Sequence, residues 1–377
     1  MRKIIVIPDS FKGSLSSREA CDIMADAARK IFPHAEVIPV PIADGGEGSV
    51  DAILSAIGGK KVHVSVKGPL FDEVDAFYGQ LPDGTAVIEM AAAAGLPLMG
   101  NSKAVETATT YGVGELMRHA LDHGAGRLLL GLGGSATNDG GCGAAAAMGA
   151  VFKDTDGHEF IPTGATLQRI ASVNMKQVEN ALNGIPVEAM CDVNNPLCGE
   201  NGAAFIFAPQ KGADEHMVRL LDDGLRHFAE VIARDLGKEI DIPGAGAAGG
   251  MGAGVVAFFN GRLIRGIDAM LDLTHFDELL VDADVVFTGE GRFDRQSLMG
   301  KAVGGIAQRT KKAGVPLICI AGALGEDIEA AYQSGVTAAF SITREPLPFE
   351  EAAFKTRENL SQTMESILRL LAAKPLQ

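Results

Sequence analysis

Several short segments of this chain concentrate residue types that can act on a small charged molecule. The densest is GLGGSATNDGG at 131–141, directly after an apolar, strand-like run. A glycine-rich turn from strand to helix presents backbone N–H groups to an anion, and the helix dipole adds positive potential. Gly133 and Gly134 supply that backbone. Ser135, Thr137 and Asn138 add side-chain hydrogen-bonding groups, and Asp139 is an acid suited to Mg²⁺. The plain alternative is a tight, capped turn. Five glycines beside Ser-Ala-Thr-Asn-Asp are more than a turn needs, so a ligand loop is expected.

Other segments carry the charges. PDSFKGSLSS at 8–17 offers Ser10 and Lys12, and PIADGGEGS at 41–49 offers Asp44 and Glu47. Both follow strand-like runs, and open α/β sheets bind ligands at the carboxyl ends of their strands. CDVNNPLCGENGAAFIFAPQKGA at 191–213 places Asp192 after a strand and Lys211 in a turn. An acid that accepts a hydroxyl proton and a lysine that balances phosphate charge are both parts that phosphoryl transfer uses. GEGRFDRQSLMGK at 289–301 follows a strand expected to end at 288. It brings Glu290 and Asp294 as metal or hydroxyl partners, and Arg292, Arg295 and Lys301 as partners for phosphate or carboxylate. Turn chemistry and solvated charge are the competing explanations for each.

These segments need elements to hold them. Apolar runs at 4–7, 37–40, 127–132, 284–288, 317–321 and 338–342 read as strands, and amphipathic helices separate them. Ser16 and Glu19 form a capping-box pattern ahead of Ala20, Ile23, Met24, Ala27 and Ile31 on one helical face. Apolar strands between such helices imply a parallel sheet covered on both faces. From 62 to 90 and from 150 to about 272 the pattern changes, with hairpin signals at Pro82-Asp83-Gly84 and Asp156-Gly157. The expected arrangement is discontinuous: residues 1–60, 101–149 and 275–377 form one domain, and 61–100 with 150–274 form a second, inserted one.

Composition narrows the partners. The chain has 377 residues, 33 Lys plus Arg against 48 Asp plus Glu, and a net charge of −15. That balance disfavours nucleic acid and anionic membranes as partners, and leaves a small anion held by a few local cations. Its 47 glycines are about an eighth of the chain, against a usual ~7%, and point to tight turns and close backbone approach. Five cysteines without CxxC spacing read as free thiols in a reducing compartment, and the start MRKIIVIPDS reads as a strand and not a signal peptide, so a cytoplasmic location is expected. The uncharged run at 242–261 is long enough to cross a membrane, but its Gly and Ala content and Pro243 argue against a span. Composition leaves a homo-oligomer open.

Taken together, the segments resemble the bacterial type I glycerate kinase family, whose glycerate 2-kinases they are similar to. PDSFKGSLSS, PIADGGEGS, EMAAAAGLPL at 89–98, TATTYGVGEL at 107–116, GLGGSATNDGG, CDVNNPLCGENGAAF, PQKGA, GAAGGMGAG at 246–254 and GEGRFDRQSLMGK run in family order over nearly the whole chain. Val303 stands where the family commonly has proline. The resemblance implies ATP-dependent phosphorylation of D-glycerate, most often at the 2-hydroxyl, with Mg²⁺. It also implies a doubly wound, flavodoxin-like or Rossmann-like domain carrying an inserted restriction-endonuclease-like α/β domain, with the reaction in a cleft between the two. In that frame Lys12, Lys211, Arg292, Arg295 and Lys301 are the available cations, and Asp192 and Asp294 share the roles of base and Mg²⁺ ligand. Ser10, Asp44, the 133–138 residues and Glu290 complete the expected binding set. The competing class is an NAD(P)-dependent dehydrogenase of a small hydroxy acid, with GLGGSA at 131–136 as its fingerprint and Asp154 or Asp156 at about the required spacing.

Overall fold

The computed structural model describes residues 1–42, 48–100, 102, 104–298, 302–326, 328–345 and 348–373. In chain order the strands are β1 (Lys3–Val6), β2 (Glu36–Pro39), β3 (Lys60–Lys67), β4 (Glu73–Gln80), β5 (Thr85–Glu89), β6 (Arg127–Gly131) and β7 (Val151–Lys153). They continue with β8 (Glu159–Phe160), β9 (Ser172–Asn174), β10 (Val187–Met190), β11 (Arg262–Ile264), β12 (Val285–Phe293), β13 (Leu317–Leu324) and β14 (Ala338–Ser341). They sort into two compact units. Unit 1 is Met1–Ala43, Ser55–Ile57 and Ile267–Gln377; unit 2 is Asp44–Leu54 and Gly58–Gly266.

Unit 1 is built on one parallel sheet in the order β14-β13-β12-β1-β2. Its strands are apolar on both faces because helices cover both. Ile4, Val6, Phe287, Ile318 and Ile320 pack against Ala20, Met24 and Ala27 of the Ser17–Ile31 helix and Leu360, Met364 and Leu368 of the Phe349–Ala372 helix. The Ala302–Ala313 helix packs on β12 and β13. The capping box read from sequence starts the first helix. Ser16 Oγ accepts from Glu19 N at 3.2 Å, and Glu19 Oε2 accepts from Ser16 N at 3.0 Å.

Unit 2 carries a six-stranded sheet, β11-β10-β6-β5-β4-β3, and a small antiparallel sheet, β8-β7-β9. β11, β10, β6 and β5 run parallel, and the β3–β4–β5 meander completes the sheet antiparallel. The turn at Pro82-Asp83-Gly84 joins β4 to β5, with Asp83 Oδ1 accepting from Thr85 N at 2.8 Å. The turn at Asp156-Gly157 joins β7 to β8 in the same way, around the Asp154 carboxylate.

Two expectations change. Residues 101–149 do not join 1–60, because β6 pairs with β5 and β10 inside unit 2. The unit border also falls at 266–267 and not at 274, and 44–54 with 58–60 belong to unit 2. Second, the strand expected to stop at 288 runs on to Phe293. Its glycines read as a turn, yet they serve strand pairing: a Cβ on Gly289 would lie 2.3 Å from Ile320 O, and one on Gly322 would lie 2.3 Å from Gly291 O. Among the described residues no helix is long and apolar enough to cross a membrane. Within 242–261 the helix Ala247–Phe259 is broken at Ala248, Gly249 and Gly250.

Candidate active site

In unit 2 the loop after β6 is pinned strand-like to the segment after β5. Met90 N donates to Gly131 O, Leu96 N to Gly134 O, and Ala136 N to Ala94 O. Gly134 takes φ of +72°, which glycine adopts without strain. The short turn Pro209–Lys211 then brings in a lysine, and Asp192 follows β10. Together these frame a cavity of about 340 Å³ lined by Gly133, Gly134, Ser135, Asp192, Gln210 and Lys211, with Leu96, Phe207 and Ala248 as apolar walls.

Lys211 is its principal charge. The side chain is only 4% exposed, and Nζ donates to Ser135 Oγ at 2.8 Å and Thr137 O at 2.7 Å. Burial pushes its pKa down to about 7, against the opposing pull of the Asp139 charge. A buried ammonium held at the rim of an anion-sized cavity gains its missing countercharge when an anion enters. Asp192 is exposed, and its Oδ1 accepts from Gly266 N at 2.9 Å, which orients the carboxylate at the cavity.

Asp139 corrects the expectation of a metal ligand. It is fully buried, and its carboxylate accepts from Thr110 N and Thr110 Oγ1, both at 2.8 Å, from Gly141 N at 3.1 Å and from Gly143 N at 3.2 Å. Burial raises its pKa, and those four donors oppose the rise. Its carboxylate takes the Gly141 and Gly143 N–H groups at the start of the Cys142–Ala147 helix, so the protein's own acid sits where a ligand phosphate was expected. Thr137 and Asn138 are likewise fully buried and lie outside the cavity lining. Thr137 O accepts from Lys211 Nζ, and Thr137 Oγ1 is buried without a hydrogen-bond partner among the described residues.

The glycines of the second tract, at 246–254, serve close packing against the first. The tract crosses the 137–141 loop so closely that a Cβ on Gly249 would lie 1.9 Å from Thr137 O, and one on Gly254 would lie 2.6 Å from Gly140 O. Only Ala247 and Ala248 of this tract reach the cavity, and Ala248 does so in the left-handed region at φ +55°.

The remaining candidates lie in unit 1. Ser10 follows β1, and its N–H donates to Asp9 Oδ1 at 2.6 Å. Lys12 is exposed at the tip of a turn closed by Ser14 N and Leu15 N on Phe11 O. Glu290 is 9% exposed on β12. Arg292 Nε lies 3.4 Å from Asp294 Oδ2, and Asp294 N donates to Ser297 Oγ at 3.2 Å. Arg295 begins the short turn that follows. Asp44, Glu47 and Lys301 lie outside the described residues. Unit 2 thus gathers Gly133, Gly134, Ser135, Asp192 and Lys211 around one cavity, whereas unit 1 carries Ser10 and Lys12 after β1 and Glu290, Arg292 and Asp294 on and just after β12. Sequence reasoning missed the cavity walls Leu96, Phe207 and Gln210, although Leu96 and Gln210 lie in segments already singled out by their motif resemblance.

Comparison with known proteins gives a consistent picture. Residues 4–372 match the model of the glycerate kinase family. A Bacillus cereus glycerate kinase is 46% identical over 368 residues, 97% of each chain. The Escherichia coli glycerate 2-kinase is 43% identical over 373 residues, 98% of each chain. The crystal structure of a Salmonella typhimurium protein assigned as glycerate kinase 2 superposes with a TM-score of 0.87 at 42% identity, covering 98% of both chains.

Proposed function

The chain belongs to the glycerate kinase family, and from that premise we propose that it transfers the terminal phosphoryl group of ATP to D-glycerate, at the 2-hydroxyl. The observation that carries the site assignment is the unit 2 cavity, where a buried lysine, side-chain-free backbone and an oriented carboxylate converge. Phosphoryl transfer needs positioning and charge neutralisation more than covalent chemistry from the protein. With an anion bound, Lys211 supplies a positive charge to its oxygen, with Ser135 and Thr137 holding its direction. Gly133 and Gly134 let backbone approach that oxygen without a side chain between. Asp192 is the acid placed to take the hydroxyl proton or to hold Mg²⁺.

The donor set fits Mg²⁺, since that ion takes one or two carboxylates and completes its shell with phosphate oxygens and water. Asp192 would hold it, and it would offset charge on the transferring group. In unit 1, Lys12 and Arg292 are the cations we assign to substrate oxygens, with Asp294 beside Arg292. The sheet order of unit 1 supports reading it as flavodoxin-like, and the mixed sheet of unit 2 is compatible with the inserted restriction-endonuclease-like domain that the resemblance implies. Use of ATP supports the expected cytoplasmic location.

The dehydrogenase alternative is not supported. Asp154 directly follows β7, but β7 pairs antiparallel with β8 and β9 in the small sheet and not parallel beside β6, so no crossover unit leads to it, and the turn at 131–141 has its helix terminus filled by Asp139. The test is purified protein with D-glycerate and MgATP in an ADP-coupled assay, with phosphorus NMR of the product. Glycerate-dependent ADP and a 2-phosphoglycerate resonance are expected. No glycerate-dependent ADP would end the proposal, and a 3-phosphoglycerate resonance would move the acceptor to the other hydroxyl.

A further inference from the structure

A second cavity, about 250 Å³, lies wholly within unit 1 at the carboxyl ends of β1, β12, β13 and β14. Phe11 and Ile342, 2% and 4% exposed, supply apolar surface, and Gly291 and Gly322 leave part of the wall without side chains. Asn359, half-buried on the Phe349–Ala372 helix, also lines it, and its amide has no hydrogen-bond partner among the described residues. Lys12 and Arg344 line it too and are exposed, and neither is ion-paired among the described residues. The acid at the same edge, Glu345, is already engaged by Lys355.

Counted within the unit, the strand order is 2-1-3-4-5, with its switch point between β1 and β12. Open sheets of this kind take ligands in the crevice at that point, and Lys12 and Gly291 stand there. The chemistry of the walls then selects the ligand. An Asn amide offers one donor and one acceptor in a single plane, which matches the N6–H and ring-nitrogen edge of adenine. Flat apolar walls suit the faces of a base, and two exposed cations suit a polyphosphate. Glycerate, with a carboxylate and two hydroxyls on three carbons, would leave the apolar walls unused.

Resting on the kinase reading above, we propose that this cavity is the adenine-nucleotide subsite, with Asn359 reading the base edge and Lys12 and Arg344 meeting the phosphates. The test uses the full chain and ADP as probe in calorimetric titration, beside steady-state kinetics. Asn359→Leu is expected to raise the Kd for ADP and the KM for ATP about tenfold to hundredfold. KM for glycerate should stay within about twofold, and the preference for ATP over GTP should shrink. Ala353→Leu narrows the cavity from the same helix and is read in the same way if Asn359→Leu does not fold. Photolabelling of the wild-type chain with 8-azido-ATP needs no variant, and the label is expected within residues 342–359. Unchanged ADP affinity in a folded variant, or label confined to other segments, overturns the proposal. A wild-type chain that binds ADP but never phosphorylates glycerate overturns the proposed reaction and leaves this subsite standing; a chain that phosphorylates glycerate with an indifferent Asn359→Leu does the reverse.

Discussion

A lysine cut off from water holds its proton weakly, and Lys211 makes that property measurable. Its folded pKa of about 7 lies below the ordinary 10.5, so between those values the unfolded chain binds more protons than the folded one. Stability contributed at this position therefore rises with pH from about 7 to about 10, and is lost as pH falls through 7. Thermal melting across that window should show the slope in the wild type and not in Lys211→Met, which keeps the stem and removes the charge. An entering anion restores the proton, so ligand binding near pH 8 should take up protons. Calorimetry in two buffers of different ionisation enthalpy reads that uptake, and a buffer-independent heat would mean that Lys211 is already charged. Lys211→Met should also lose about 10²–10³ in kcat/KM. Asp192→Asn should lose about 10²–10⁴ in kcat with its melting temperature nearly unchanged. If Asp192 holds Mg²⁺, raised Mg²⁺ should recover part of that loss; near-normal kcat in a folded variant would remove Asp192 from the chemistry. Asp139→Asn should behave in the opposite way, costing roughly 3 kcal/mol of stability because an amide NH₂ would face N–H donors.

At the scale of elements, glycine explains both what the sequence made legible and what it hid. The capping box at Ser16 and Glu19 and the hairpin turns at Pro82-Asp83-Gly84 and Asp156-Gly157 are local signals, and they are found where their residues stand. Glycines in GEGRF and GAAGGMGAG look the same in sequence as those of a ligand loop. Their use is set by what lies across from them, which no local pattern states. Gly249 faces Thr137 O and Gly289 faces Ile320 O. Asp139 was misread for the same reason, since its partner Thr110 is far away in sequence. Gly249→Ala is the sharpest test. It combines a 1.9 Å approach to Thr137 O with a φ of +67°, and should cost more than about 3 kcal/mol. Because Thr137 O also holds Lys211, any folded remainder should lose anion affinity as well. A stable Gly249→Ala chain with normal kinetics would show that the two segments do not need their close packing.

For the whole molecule, what remained illegible was the address of each strand. β6 is an apolar strand after an amphipathic helix, a pattern that fits either parallel sheet equally well, and only its pairing with β5 and β10 assigns it to unit 2. The same absence of local address holds at the amino terminus, where Ile4 pairs with Val285 and Val6 with Phe287. During synthesis at about 5–20 residues per second, β1 leaves the ribosome roughly 15–60 s before β12 exists. Unit 2 lies between them in the chain and can close first, while an apolar strand waits without its central neighbour. Nascent chains stalled near residue 300, with the end of unit 2 outside the ribosome and β12 still inside it, should therefore hold a protease-resistant unit 2 beside a cleavable amino terminus, and should bind chaperones that capture exposed apolar strands. An amino terminus already resistant in those chains would mean that β1 finds temporary shelter. On the ribosome, the first segment made is among the last to become structure.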